Sequence, residues 1–533
     1  MTARTRAEVL LLVAFCGFLF FYGLDAFGLL GADEPRYAQV AREMLHRHDW
    51  ITPTLDGKPW LEKPVLYYWQ AMLSYAVLGF SDRAARMPGA VDAALMIAAI
   101  FFFLRRFRSG LETDGALIAA GCAGIIGFAR GASTDMPLAA MFTIALLGWF
   151  AWYEYRRSTG LIAFYFFLGL ATLAKGPVAI FFAGVILLSF LALKRDWGSI
   201  VESLWIPGIL LFLAVALPWY VAVQLRNPDF FRVFILEHNL GRFGQDLYHH
   251  RQPFWFYLPV LLLALAPWTL WMCLAVAERI GVLWRERAES LRSPAGSWQA
   301  FLLVWLLVPV LFFSVSQSKL PGYILPAIPA GALLAAEYVR RLAAESGRRF
   351  AWQIAVHTLL CGLLVFAALA APGIQLQHRL LAGMGSYVAV AAGMLVMLGM
   401  AITLFRSGLR ALRPATMLAI VIAVAALLKL SSSVVDETQS ARPLAGLIQG
   451  FSREPVPVAL YGARRQTEYG LEFYLNRPVQ RYESGEAPPA GHVLVTVRSA
   501  ASEFPRLIPG RKMSYLASLP AQNIDLYWVA PVR

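Results

Sequence analysis

The chain is 533 residues long, 59% hydrophobic and only 15% charged, with a mean hydropathy of +0.58, which excludes a soluble globular protein and makes lipid the solvent to reason in. Its net charge of +14 would suit a nucleic-acid partner only if the basic residues gathered on one solvent-exposed face. They fall instead in small clusters between apolar runs, the positive-inside pattern of a polytopic protein.

The first run, Val9 to Leu30, is longer than the apolar core of a cleaved signal and has no small-residue cleavage motif, so it reads as a first membrane helix. Apolar runs then predict spans near 87–104, 113–129, 136–153, 160–174, 177–193, 203–223, 255–277, 298–315, 322–338, 350–371, 384–405 and 413–430, thirteen in all with 8–30. With the N-terminus inside, the inner loops collect twenty cations, among them Arg105, Arg106, Arg108, Arg279, Arg340 and Arg341. The short outer connections hold only Arg130, Lys175, Lys319 and Arg379. An odd number of spans puts the C-terminus outside. The four cysteines, Cys16, Cys122, Cys273 and Cys361, lie in apolar runs without metal or redox spacing, and no disulfide is expected.

The segment Pro64–Phe80 is apolar enough to be taken for a span, but counting it would reverse the parity and put the later arginine clusters outside. Its tyrosines and tryptophan fit a helix lying in the interface, within a long first outer loop over residues 31–86. Loops of that length inside compact domains are usually functional. From residue 431 onward, charges, prolines and short β-type runs return. The chain therefore divides into a membrane domain, 1–430, and a small α/β domain, 431–533.

Polar residues at membrane borders carry the information, because a charge near hydrocarbon costs roughly 2.5–3.5 kcal/mol on insertion scales unless pairing or function offsets it. Asp33, Glu34 and Arg36 follow the first span; two acids there can take a proton or bind a cation and an arginine can hold phosphate, while Asp33 also suits an ordinary helix N-cap with Pro35 behind it. Glu62 and Lys63 sit beside Trp60 before the interfacial helix, as phosphate and metal ligands or as an interface anchor. Asp135 enters the span 136–153, as a site residue or as a partner for Arg130. Glu237, His238 and Arg242 follow the span 203–223, where a neutral imidazole with a carboxylate suits a zinc-like ion but a lone histidine is more often structural. The prolines of Lys319–Pro326 prevent a regular helix, and irregular backbone at membrane depth is tolerated where it lines a cavity or is buried in protein, which makes Tyr323 a candidate phosphate donor or part of a kink. All five clusters fall on the outer side under one topology.

In chain order, the runs ADEPRYAQVAREML, DGKPWLEKPVLYYW, ASTDMP, LAKGP, EHNLGRF and SQSKLPGYILP resemble the type C (GT-C) integral membrane glycosyltransferases, in the branch joining protein O-mannosyltransferases to the lipid A 4-amino-4-deoxy-L-arabinose transferases, across about residues 25–330. The resemblance implies an all-α polytopic membrane fold. It implies catalytic acids at Asp33, Glu34 and Asp135, a donor phosphate gripped by Arg36, Lys63, Arg242 and Tyr323, and a divalent, zinc-like metal between Glu62 and His238, with no nucleotide cofactor. It further implies a polyprenyl phosphate-linked sugar as donor, lipid A or another envelope glycan as acceptor, inversion at the anomeric carbon, and a bacterial inner membrane with the site facing the periplasm. A protein O-mannosyltransferase is the alternative within the fold, and the soluble insertion usual in those enzymes is missing from this sequence. A lipid flippase is the rival of another class, although transporters place ionisable residues near the midplane and often show inverted repeats.

Overall fold

The computed structural model describes the chain except residues 1–2, 235–236, 238–251, 287–288, 290, 345–349, 378–383, 452–453, 486, 504–508, 510 and 532–533. The described residues up to about 450 are mostly helical, and each of the thirteen predicted apolar segments is helical in whole or in part. Among the described residues, eight helical runs are long and apolar enough to cross a membrane, or ten if each of two bent pairs counts as one span. The chain is a multi-pass membrane protein on that composition. One of the eight runs, residues 387–439, is interrupted by a 3-10 turn at Gly408–Ala411, with Gly408 at φ +66°. Its parts on both sides of the turn pack against helix Ala351–Gln377.

Three expected spans end early or break at a sharp bend. The first ends at Phe21, and residues 22–32 run as turns rather than helix. The segment 113–129 is two helices, Glu112–Ala120 and Ala123–Ala129, bent by 64°, and 255–277 is broken by 119° between Ala264 and Thr269, where Pro267 lacks the N–H a continuous helix needs. The two breaks satisfy one another. The Ala123 N–H donates to the Ala266 carbonyl at 3.0 Å, so backbone released at membrane depth is paired inside the protein. A hydropathy window averages over such breaks and misses them.

The long outer loop is compactly folded. It holds helix Asp33–His46, a small hairpin (β1 Thr54–Leu55, β2 Lys58–Pro59) and helix Leu66–Leu78. That last helix has 13 residues, about 20 Å, too short to span. It buries Tyr67, Tyr68 and Met72 against its neighbours and leaves Leu73, Val77 and Leu78 exposed, as expected of an interfacial helix. The hairpin turn is fixed by Glu43, which accepts from Thr54 Oγ1 and from the Asp56 and Gly57 N–H groups.

The C-terminal domain is a five-stranded mixed sheet with helices Arg442–Phe451 and Arg465–Leu475. Its strands are β3 Val458–Tyr461, β4 Gln480–Arg481, β5 His492–Val497, β6 Met513–Leu519 and β7 Ile524–Val529, in the order β4-β3-β5-β7-β6. From the sequence, the β-type runs PVALYG, PVQRY, HVLVTV and DLYWVAPV predict β3, β4, β5 and β7 but not β6, whose partly exposed MSYLASL lacks a clean alternation. The domain is clamped onto the base of the outer loop. Arg442 reaches Asp82 at 3.0 Å and Asp436 at 2.7 Å, and the Tyr474 hydroxyl donates to Asp82 and accepts from the Leu29 N–H. Arg42 donates to the Phe473 carbonyl and stacks on its ring at 4.3 Å. Gly28 lies where a Cβ would meet the Tyr474 hydroxyl at 2.5 Å, so only glycine allows this approach.

Candidate active site

The acids Asp33 and Glu34 occupy the first turn of helix Asp33–His46, where the helix dipole favours negative charge. Ala32, not Asp33, is the residue before the helix, and it makes no side-chain cap, so the N-cap expectation for Asp33 is corrected. One residue apart on a helix, the two carboxylates point different ways. Asp33, with its side chain 56% exposed, faces a cavity and accepts from Arg36 at 2.5 Å. Glu34 turns inward to Arg86, a guanidinium only 1% exposed, at 2.7 Å. Glu34 also accepts from the backbone N–H groups of Leu30 and Ala132, while Arg86 donates to the carbonyls of Leu24, Phe27 and Gly28. Glu34, expected as a catalytic acid beside Asp33, does not line the cavity: its lone pairs are committed to a knot that ties residues 24–34 to residue 132.

That cavity, of about 1030 Å³, is lined by residues from five distant segments. The outer loop supplies Asp33, Arg36, Tyr37, Trp60, Glu62 and Lys63, and the helix borders supply Thr134, Asp135 and Lys175. The 3-10 helix Pro321–Ala327 contributes Gly322 and Tyr323, and the C-terminal domain contributes Arg465, Glu468, Tyr469 and Arg481. Six of the residues singled out from the sequence meet here: Asp33, Arg36, Glu62, Lys63, Asp135 and Tyr323. Arg242 and His238 lie outside the described residues. Glu237, from the same motif, pairs with Arg232 on the exposed surface at 2.5 Å.

Arg36 is boxed by aromatic rings, with Trp60, Tyr37 and Tyr469 at 4.8, 5.2 and 5.5 Å from its guanidinium carbon. Burial opposes its charge, but Tyr37, Asp33 and Glu62 outweigh that and push its pKa up, so it is a fixed cation beside the Asp33 carboxylate. Asp135 pairs with Lys175, not with Arg130. Arg130 instead donates to the carbonyls of Leu19, Tyr22 and Gly23, closing the end of the first helix. The Lys175 ammonium also lies 5.1 Å from the Tyr323 ring, and a Cβ at Gly322 would sit 2.8 Å from Asp135 Oδ1. Glycine at 322 thus lets the irregular segment close over Asp135.

Sequence reasoning missed Lys175 and the C-terminal residues. Lys175 was legible as the lysine of LAKGP, a cation ending a helix just before Gly176 at φ +91°, but it read as one more loop charge. Arg465, Glu468, Tyr469 and Arg481 carry no sequence signal, since nothing local shows that their domain folds back over the loop. Among the described residues, no three His, Cys, Asp or Glu side chains come together to hold a metal ion. Of the expected pair, Glu62 is at the cavity.

Chemically, the cavity sets the exposed Asp33 carboxylate among Arg36, Lys63, Lys175 and the Tyr323 hydroxyl. Cations and a phenol donor suit a phosphate ester, and an accessible carboxylate suits proton removal.

Residues 62–221 match the family described as dolichyl-phosphate-mannose-protein mannosyltransferase. An undecaprenyl phosphate-α-4-amino-4-deoxy-L-arabinose arabinosyl transferase of Edwardsiella ictaluri is 34% identical over 325 residues, which cover 59% of this chain and 56% of that protein. One from Pseudomonas fluorescens is 31% identical over 378 residues, covering 69% of this chain and 65% of that protein. The match thus spans less than two thirds of the length of these curated relatives. The crystal structure of ArnT from Cupriavidus metallidurans bound to undecaprenyl phosphate superposes with a TM-score of 0.81 at 21% identity, over 98% of this chain and 99% of that one. Shape is therefore shared well beyond the region of readable sequence similarity, and this chain has the GT-C membrane fold of ArnT from its first helices through its C-terminal domain.

Proposed function

We propose that this protein is an inverting glycosyltransferase that moves a sugar from a polyprenyl phosphate carrier to an envelope acceptor, with 4-amino-4-deoxy-L-arabinose as the sugar and lipid A as the acceptor. Its setting is the bacterial inner membrane, with the cavity facing the periplasm. The observation that carries the reading is the convergence of Asp33, Arg36, Glu62, Lys63, Asp135 and Tyr323 on one cavity at one end of the helices. The matched relatives are named for transfer of that sugar from undecaprenyl phosphate, and the structural neighbour was crystallised with undecaprenyl phosphate.

The reaction breaks the bond between the anomeric carbon and the phosphate oxygen and forms one to an acceptor oxygen. Charge then gathers on the departing phosphate, and Lys63, with Arg242 and the Tyr323 hydroxyl, offsets it where it develops. Asp33 takes the acceptor's proton when the acceptor is a hydroxyl. A phosphate acceptor is already ionised, and Asp33 then orients it. Arg36, held by three rings and bonded to Asp33, keeps that carboxylate aimed. Asp135 and Lys175 form the far wall as a neutralised pair. The proposal includes a divalent ion between Glu62 and His238, which would add positive charge beside the phosphate.

The test is transfer in vesicles supplied with carrier-linked sugar, together with mass spectrometry of lipid A and other envelope glycans with and without the protein. Asp33→Asn is expected to abolish transfer. Wild-type rates in that variant would defeat the assignment of Asp33, and an unchanged glycan profile would defeat the acceptor. A protein O-mannosyltransferase would show mannosylated protein instead, and a flippase would move carrier lipid without forming a glycosidic bond.

A further inference from the structure

A second cavity, of about 400 Å³, opens at the opposite end of the helices from the reaction cavity. The helix Asp82–Phe107 starts beside the clamp of Asp82 and Arg442 and ends at this second cavity after 26 residues, a rise of about 39 Å. Helix Asp135–Tyr155 likewise runs from Asp135 to Glu154, which pairs with Arg108 on the second cavity's wall. The two cavities thus lie on opposite membrane faces. Trp284 and Trp197, 83% and 60% exposed, lie near helix ends on this side, at the level where aromatic residues meet lipid headgroups.

The wall carries four arginines, Arg108, Arg279, Arg340 and Arg341. Two of them, Arg279 and Arg108, are built in rather than splayed into solvent, and Arg340 is exposed at the mouth. Arg279 is 6% exposed and donates through Nη2 to the Gly296 carbonyl at 2.8 Å, while its Nε is buried without a partner among the described residues. Arg108 pairs with Glu154 at 2.8 Å and also leaves its Nε buried and unpartnered. Arg340 makes no ion pair among the described residues and lies over Gly110, where a Cβ would fall 2.5 Å from Nη2. Gly110 stands at φ +88°, so that loop is shaped to receive a guanidinium. Glu337 on the wall is occupied by Gln299 at 3.0 Å, and Glu278 by Arg341.

Simple topology signalling needs arginines in the loop, not buried guanidiniums around a pocket between helices. Basic pockets between membrane helices at the headgroup level are the recognised form of an anionic-lipid site. We propose that this cavity binds the phosphate headgroup of an anionic phospholipid from the leaflet opposite the reaction cavity, with Arg279 and Arg340 as its principal donors. The site would couple stability of the four helix ends that meet there to the charge of the surrounding membrane.

The test uses the full chain purified in zwitterionic detergent and titrated with phosphatidylglycerol, cardiolipin or phosphatidylcholine, and separately with inorganic phosphate, while thermal unfolding and native mass spectrometry are recorded. Phosphatidylglycerol and cardiolipin are expected to raise the unfolding temperature and to remain bound, with phosphatidylcholine and inorganic phosphate giving neither effect. Arg340→Gln, a change at an exposed side chain that leaves the fold intact, is expected to weaken retention of the anionic lipid about 5-fold, the weight of one arginine at an anionic surface. Arg279→Gln with Arg340→Gln is expected to remove it. Equal protection by inorganic phosphate or phosphatidylcholine, or undiminished retention in Arg340→Gln, would overturn the proposal.

Discussion

The neighbouring acids Asp33 and Glu34 give opposite predictions, and the structure supplies the sizes. Glu34→Ala removes the counter-ion of Arg86, which is 1% exposed, and orphans the N–H groups of Leu30 and Ala132. Breaking one side of a buried ion pair costs on the order of 3–5 kcal/mol, because the remaining charge stays buried. Asp33→Asn disturbs a pair whose acid is 56% exposed, a contribution of about 0–1 kcal/mol. If Asp33 is the base, however, its loss lowers the rate by roughly 10²–10⁴. The assay pairs thermal unfolding followed by tryptophan fluorescence with transfer in reconstituted vesicles. Asp33→Asn should unfold like the parent and transfer poorly. Glu34→Ala should unfold at clearly lower temperature, and whatever fraction remains folded should lose far less activity than Asp33→Asn does. A Glu34→Ala protein as stable as the parent and inactive would refute this division of labour and restore Glu34 to the chemistry.

Further expectations follow from the same geometry. Tyr323→Phe removes one hydroxyl donor and should raise KM for the carrier-linked sugar by about 10-fold with the fold unchanged, whereas an unchanged KM would remove Tyr323 from the donor phosphate. Arg465→Ala, at the C-terminal wall of the cavity, should weaken acceptor use more than donor binding; equal loss of both would make the domain a general support instead. The Glu472 carboxyl, buried beside Asp56, Glu468 and Glu43, is pushed up from the ordinary 4.5 to about 9. The folded state therefore binds the extra proton, so this contribution is fully present below about pH 4.5 and is lost as pH rises toward 9. Unfolding of the wild type across pH 5–9 should show that decline, and Glu472→Gln should flatten it; parallel curves would contradict it. Exhaustive chelation should abolish transfer if Glu62 and His238 hold an ion the reaction needs, with restoration by zinc, and undiminished transfer would strike the metal from the proposal.

The membrane character, the positions of the apolar segments and the outer-side grouping of Asp33, Glu62, Lys63, Asp135 and Tyr323 were legible in the linear chain. Hydropathy and charge asymmetry are local quantities, and a polar residue at a membrane border is expensive enough to stand out without knowledge of its partners. The short interfacial helix after Pro64 was legible for the same reason, since the arginine clusters fix parity. The breaks at 121–122 and 265–268 were not, because each depends on the other for its backbone hydrogen bond. Only tertiary structure separated Asp33 from Glu34, as the difference lies in Arg86, 52 residues from Glu34. It alone gave Asp135 to Lys175, and it alone brought Tyr469 and Arg465 to the cavity across more than four hundred residues from Asp33. Residue type and spacing state what a side chain can do; which group stands opposite it, and whether water reaches it, is settled by packing between segments that carry no mark of each other in the sequence.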